Sequence, residues 1–184
     1  MTVTMTQRLT RALLGPGPGE TDTSKSHAES SPLASVMVLT AGVSIVAGMI
    51  HIRASIDHAQ EFLLYTPVFA LLAAVQIAWG ASVVRGCSRR ILLAGGVLNL
   101  AVIVLWVASR TTGVPIAPVP WVPEPVGAPD LMATVAEVVI VIATTCLLTA
   151  DRSPLAQRIL ARLAPVLLAV IFLCVTFGVG THAH

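Results

Sequence analysis

Long apolar runs separated by short polar stretches set the pattern of this chain. Five runs stand out: Leu33–Ile52, Phe62–Val84, Ile91–Ala108, Leu131–Ala150, and Ile159 to about Val179. Each is close to the ~20 residues that cross ~30 Å of hydrocarbon. Backbone groups in lipid must find their hydrogen bonds within the segment, so each run is predicted to be a helix. The expected fold is all-α, an integral membrane bundle of five transmembrane helices spanning residues 33–184. Pro165 is expected in the first turns of the fifth helix, where a missing amide donor costs least. Residues 1–32 are rich in Thr, Ser, Gly and Pro and are expected to be a disordered tail, with room for a short surface helix over Gln7–Leu14. A secretory signal would run its basic residues directly into an apolar stretch, so the first run is expected to be a retained anchor.

Basic residues orient the bundle. With the N-terminus inside, the cytoplasmic side carries Arg8, Arg11, Lys25, Arg85, Arg89, Arg90, Arg152, Arg158 and Arg162, while the outer side keeps Arg53 and Arg110. This excess on alternate loops predicts a cytoplasmic N-terminus and an external C-terminus. Composition agrees with the class: the chain is 55% hydrophobic and 11% charged, with mean hydropathy +0.86. An average soluble domain carries about 25% charged residues. The net charge of +2 is spread over several loops rather than gathered in a patch, so no nucleic-acid role is expected. Lipid is the expected partner. The preference for Arg over Lys, with abundant Ala and Val, points to a GC-rich bacterial genome and hence to a bacterial cell membrane.

That orientation gathers the chemistry on one side. His51, His58, His182 and His184 fall outside, together with Asp57, Glu61, Glu124, Asp130 and Glu137, and the cytoplasmic loops carry no histidine. If the first helix continues past Ile52, His58 lies about 20° from His51 around the axis and Glu61 about 80° from it. Two imidazoles and a carboxylate then share a face, a combination suited to a divalent metal ion or a proton relay. Glu137 lies about 9 Å inside its helix. A carboxylate there costs about 2.5–3.5 kcal/mol on insertion scales, so it should face the bundle and find a partner, for which His51 is the natural candidate.

The outer loop from Ser109 to Asp130 holds Pro115, Pro118, Pro120, Pro123, Pro125 and Pro129, and is expected to run extended and stiff across the outer face as a lid. Arg110 is placed to tie it down through Glu124 or Asp130. Trp106 and Trp121 suit the interfacial belt. Deeper in the bilayer, Gln76 and Asn99 lie at one depth and are expected to share a hydrogen bond that acts as packing glue. Gly42, Gly48, Gly95 and Gly96 permit close helix approach. Cys87, Cys146 and Cys174 form no disulfide framework and no C-x-x-C, and the chain has no Walker loop, G-x-G-x-x-G, G-x-S-x-G or H-E-x-x-H.

Through Ser109-Arg110-Thr-Thr-Gly113-Val-Pro115, Pro123-Glu124-Pro-Val-Gly127-Ala-Pro-Asp130, Trp106 and Asp57-His58-x-x-Glu61, roughly residues 45–140 resemble a group of uncharacterised multi-pass membrane proteins of high-GC Gram-positive bacteria. The resemblance implies that the loop and the His/Glu helix end form one module, and implies no activity.

The functional expectation is an outward-facing metal site made by His51, His58, Glu61 and Glu137, with help from Asp57, His182 and His184. Imidazole and carboxylate donors suit Zn, Cu or Fe, for metal acquisition, delivery or sensing. Two alternatives stand beside it. One is a membrane oxidoreductase or respiratory-complex subunit, although a b-type haem would need a second imidazole at the depth of His51. The other is an assembly or scaffold protein that binds another membrane or external protein without metal.

Overall fold

The computed structural model describes residues 32–86 and 88–179, with the backbone alone at Pro32, Gln60 and Glu61. The tail with its Gln7–Leu14 segment, Cys87, His182 and His184 lie outside the described residues, as does the side chain of Glu61. Among the described residues five helices follow one another: α1 (Pro32–Glu61), α2 (Tyr65–Val84), α3 (Arg89–Thr111), α4 (Ala128–Thr149) and α5 (Pro154–Leu173), the last running on as a π-helical end, Cys174–Val179. All five are long and apolar enough to cross a membrane.

Their bounds depart from the apolar runs for local reasons. Helix α1 does not stop at Ile52 but carries its polar residues through to Glu61, because nothing in His51–Glu61 breaks a helix and Arg53 clasps Asp57 one turn on, Nε to both carboxylate oxygens at 2.8 Å. Helix α3 begins at Arg89 because Ser88 caps it, its Oγ accepting from the Ile91 amide at 3.4 Å. Ser153 caps α5 in the same way through Ala156 at 3.2 Å, with Pro154 at the first helical position. That early start moves Pro165 from the expected first turns into the interior of α5, where Ala161 loses its usual amide donor.

Helices α1 and α4 form the centre. Helix α2 packs along α1, α3 packs along α4, and α5 with its π-helical end covers the opposite side. Small residues set the close approaches. A Cβ on Gly48 would meet Ile77 at 2.7 Å and one on Gly80 would meet the Ala41 carbonyl at 2.8 Å, so α1 and α2 touch backbone to backbone. Gly95 takes the indole of Trp79 against its face, and Trp79 Nε1 donates to the Ile91 carbonyl at 2.8 Å. Helices α2 and α3 are thus pinned together at the Trp79 end. Toward the other end, which carries the Pro-rich loop, they part.

The loop is compact rather than extended. Val114 and Ala117 turn inward and are buried, the Val114 carbonyl accepts from both Ala117 and Trp121 at 3.3 Å, and the Glu124 amide donates to Ser109 at 3.0 Å. Proline fixes φ near −65°, which serves turns as readily as extended chain, and apolar burial chose the turns here. Gly113 at φ 72° makes the first bend, with Trp121 and Val122 packed where its Cβ would be. Trp121 itself sits at φ 61° with its ring exposed.

Candidate functional site

Where α2 and α3 part, they leave a cleft of ≈ 390 Å³ backed by α1 and α4. Its walls follow helical periodicity. Helix α2 contributes Tyr65, Val68, Phe69, Leu72 and Val75, and α3 contributes Leu98, Val102, Leu105, Trp106 and Arg110. The stretches Tyr65–Val75 and Leu98–Arg110 correspond to about 15–18 Å along the helices, so the cleft is an elongated slot. Most of its lining is apolar.

The polar groups sit at two levels. On the back wall, His51 Nε2 and Glu137 Oε1 share a hydrogen bond of 3.1 Å, with the two residues 4% and 1% exposed. The anticipated pairing of Glu137 with His51 is therefore present. Gln76 Nε2 donates to the same Glu137 oxygen at 3.4 Å and to Asn99 Oδ1 at 3.3 Å, and Asn99 Nδ2 donates to the Gly95 carbonyl at 2.8 Å. The Gln76–Asn99 bond is also as anticipated, but its role is larger: it continues the His51–Glu137 pair into a four-residue network across α1, α2, α3 and α4. Gln76 Oε1 is buried with no partner among the described residues.

At the loop end, Arg110 Nη1 donates to Glu124 Oε2 and Nη2 donates to Asp130 Oδ2 at 2.7 Å, so both expected ion-pair partners are engaged at once. Tyr65 OH donates to Glu124 Oε1 at 2.8 Å. The guanidinium lies 5.9 Å from the centre of the Trp106 ring. Arg110 Nε and Trp106 Nε1 are buried donors with no acceptor among the described residues. Trp106 also lines the cleft.

The other anticipated ligands are distributed differently. His51 and His58 do share a face of α1, but the ring of Phe69 stacks on both, at 5.8 Å from His51 and 5.2 Å from His58. Seven residues of helix put the two imidazoles about 10.5 Å apart along the axis, which matches an aromatic ring held between them. Tyr65 meets His58 edge-on at 5.3 Å. Asp57 is exposed and bonded to Arg53, on a separate groove that also includes Met49 and Val179. That groove lies off the cleft, and His182 and His184 follow Val179 in sequence. Among the described residues no three His, Cys, Asp or Glu side chains are grouped to hold a metal ion.

Sequence reasoning missed Tyr65, Phe69 and the cleft-facing side of Trp106. Their only signal was spacing, since Tyr65, Phe69, Leu72 and Val75 fall on one helical stripe, and such a stripe reads equally well as ordinary packing. No family model matches the chain, and no curated protein and no solved structure matches it.

Proposed function

We propose that this is a multi-pass protein of the bacterial cell membrane, N-terminus cytoplasmic and C-terminus external. In this reading it binds a lipid-soluble ligand in the α2–α3 cleft and offers that ligand the His51–Glu137 pair. The observation that carries it is an ionisable pair 3.1 Å apart on the wall of a mostly apolar slot between two candidate membrane spans. Ionisable groups at membrane depth are costly and mark substrate or proton paths. Which partner holds the proton follows the tautomer of His51, so the pair can donate or accept.

An alkyl diazirine dissolved in the membrane tests this reading, because such probes insert readily into carboxylates and Glu137 is otherwise enclosed. Labelling at Glu137 in the wild type, lost in Val102→Trp where the slot is filled, is the expected result. An unlabelled Glu137 in the folded wild type overturns the reading.

A second reading retains a Zn, Cu or Fe site for metal acquisition, delivery or sensing. It is favoured by the juxtaposed donors His51 and Glu137, with Glu61, His182 or His184 needed to complete the shell and Phe69 displaced for His58 to join. Elemental analysis decides it. Stoichiometric metal in the wild type that is absent from His51→Ala supports the site, and a metal-free wild type that takes up none at neutral pH removes it.

A further inference from the structure

Shape, charge and unmet hydrogen bonds together narrow the chemistry of the cleft ligand. A slot about 15–18 Å long suits a head group followed by a chain lying parallel to the helices. Its volume of ≈ 390 Å³ falls in the range of small-molecule sites, about 300–1,000 Å³.

Charge excludes the commonest amphiphiles. The lining holds one permanent cation, Arg110, and its guanidinium is already engaged by two carboxylates, Glu124 and Asp130, with Glu137 a third carboxyl on the back wall. A phosphate or fatty-acid head would meet like charge in a low-dielectric site and find no free cation among the described residues to offset it. The head group is therefore neutral.

Aromatic residues shape the part of the slot nearest the loop. Tyr65, Trp106 and, deeper, the imidazole of His51 line the slot, with Phe69 held between His51 and His58, and flat rings of this kind favour a flat partner by stacking or edge contact. Hydrogen bonding adds two fixed points. Trp106 Nε1 is a donor in want of an acceptor, and the His51–Glu137 pair can serve as donor or acceptor. Their depths can be compared through the Arg110–Asp130 contact: Trp106 lies four residues below Arg110 and Glu137 seven below Asp130. The difference is about 4.5 Å at 1.5 Å per residue. The two points therefore lie at different depths along the slot.

Resting on the reading of the cleft as a site for a lipid-soluble ligand, we infer that its ligand is an isoprenoid quinone or the corresponding hydroquinone. One ring oxygen meets the Trp106 indole and the other meets the His51–Glu137 pair. The isoprenoid tail follows Leu72, Val75, Leu98 and Val102 and leaves between α2 and α3. A quinone oxygen accepts and a hydroquinone hydroxyl also donates, and the histidine–carboxyl pair suits both.

Competition for Glu137 labelling in the full-length protein tests it, with three probes: a naphthoquinone bearing a short isoprenoid chain, oleate, and decanol. The quinone is expected to suppress labelling at a concentration at least about tenfold below either control. Trp106→Phe, which keeps the ring and removes the donor, is expected to reduce that advantage by up to about tenfold, the worth of one hydrogen bond. If oleate or decanol competes as well as the quinone, the inference falls while the cleft reading stands. If Glu137 is never labelled, both fall together. Because the probes are compared on the wild type, a variant that fails to fold does not affect the decision.

Discussion

Among single residues, Glu137 joins two buried polar side chains through one oxygen. It is 1% exposed and its Oε1 serves both His51 and Gln76. Removing it strips buried His51 of this partner, at a cost of about 1–3 kcal/mol, and leaves Gln76 Nε2 with Asn99. Glu137→Ala is therefore expected to lower the thermal midpoint in detergent clearly, and Glu137→Gln, which keeps the shape and an accepting oxygen, much less. Equal losses in the two variants would mean that the charge, not the hydrogen bonding, is what the bundle uses. The Gln76–Asn99 bond is expected to contribute less. A double-mutant cycle through Gln76→Leu and Asn99→Leu should show coupling of about 0.6 kcal/mol, the average for such bonds in a membrane protein, and more if the network acts as a unit. Both side chains were legible as a pair from their depths in the sequence. Their link to Glu137 was not, because depth along a helix says nothing about which neighbour a side chain faces.

At the scale of elements, two contacts decide the form of the cleft. The closed end depends on Trp79 lying over Gly95. Gly95→Ala places a methyl group where the indole packs, so the Trp79–Ile91 bond should break and stability should fall by about 1–3 kcal/mol, measurable by thermal unfolding. The open end depends on Arg110, whose planar fork reaches Glu124 in the loop and Asp130 at the start of α4 together. Lysine offers one point charge in place of that fork. In Arg110→Lys, limited proteolysis should therefore cut within residues 112–127 sooner than in the wild type, while the helices stay protected. An unchanged cleavage rate would show that burial of Val114 and Ala117 alone holds the loop.

For the whole molecule, the segregation of polar chemistry to the loop end matters only if that end faces outward. Reporter fusions after Arg90 and after Arg158 are expected to read cytoplasmic, and one after Pro120 external, following the distribution of Arg and Lys. A cytoplasmic signal at Pro120 would turn the cleft mouth to the inside and reverse the proposed placement. In the bundle, α1 and α4 are the most buried of the five helices and α3 the least. This agrees with their places: α1 and α4 supply the back wall that holds His51 and Glu137, and α3 stands at the edge, with one face to the cleft.

The number of the described helices, their approximate bounds, the cost of an ionisable group at Glu137 and a partnership of Arg110 with Glu124 or Asp130 followed from sequence; that it holds both at once did not. Length, hydropathy and charge are local quantities that a bilayer reads directly, and Arg110 lies close in the chain to both carboxylates. Tertiary structure alone decided that Phe69 stands between His51 and His58, that Gln76 reaches Glu137, and that α2 and α3 diverge to open an aromatic-walled slot. Each of these depends on helix rotation and crossing. In an apolar segment those are set by the packing of small residues such as Gly48, Gly80 and Gly95 against particular partners, and the pattern of hydrophobic positions carries almost no record of them.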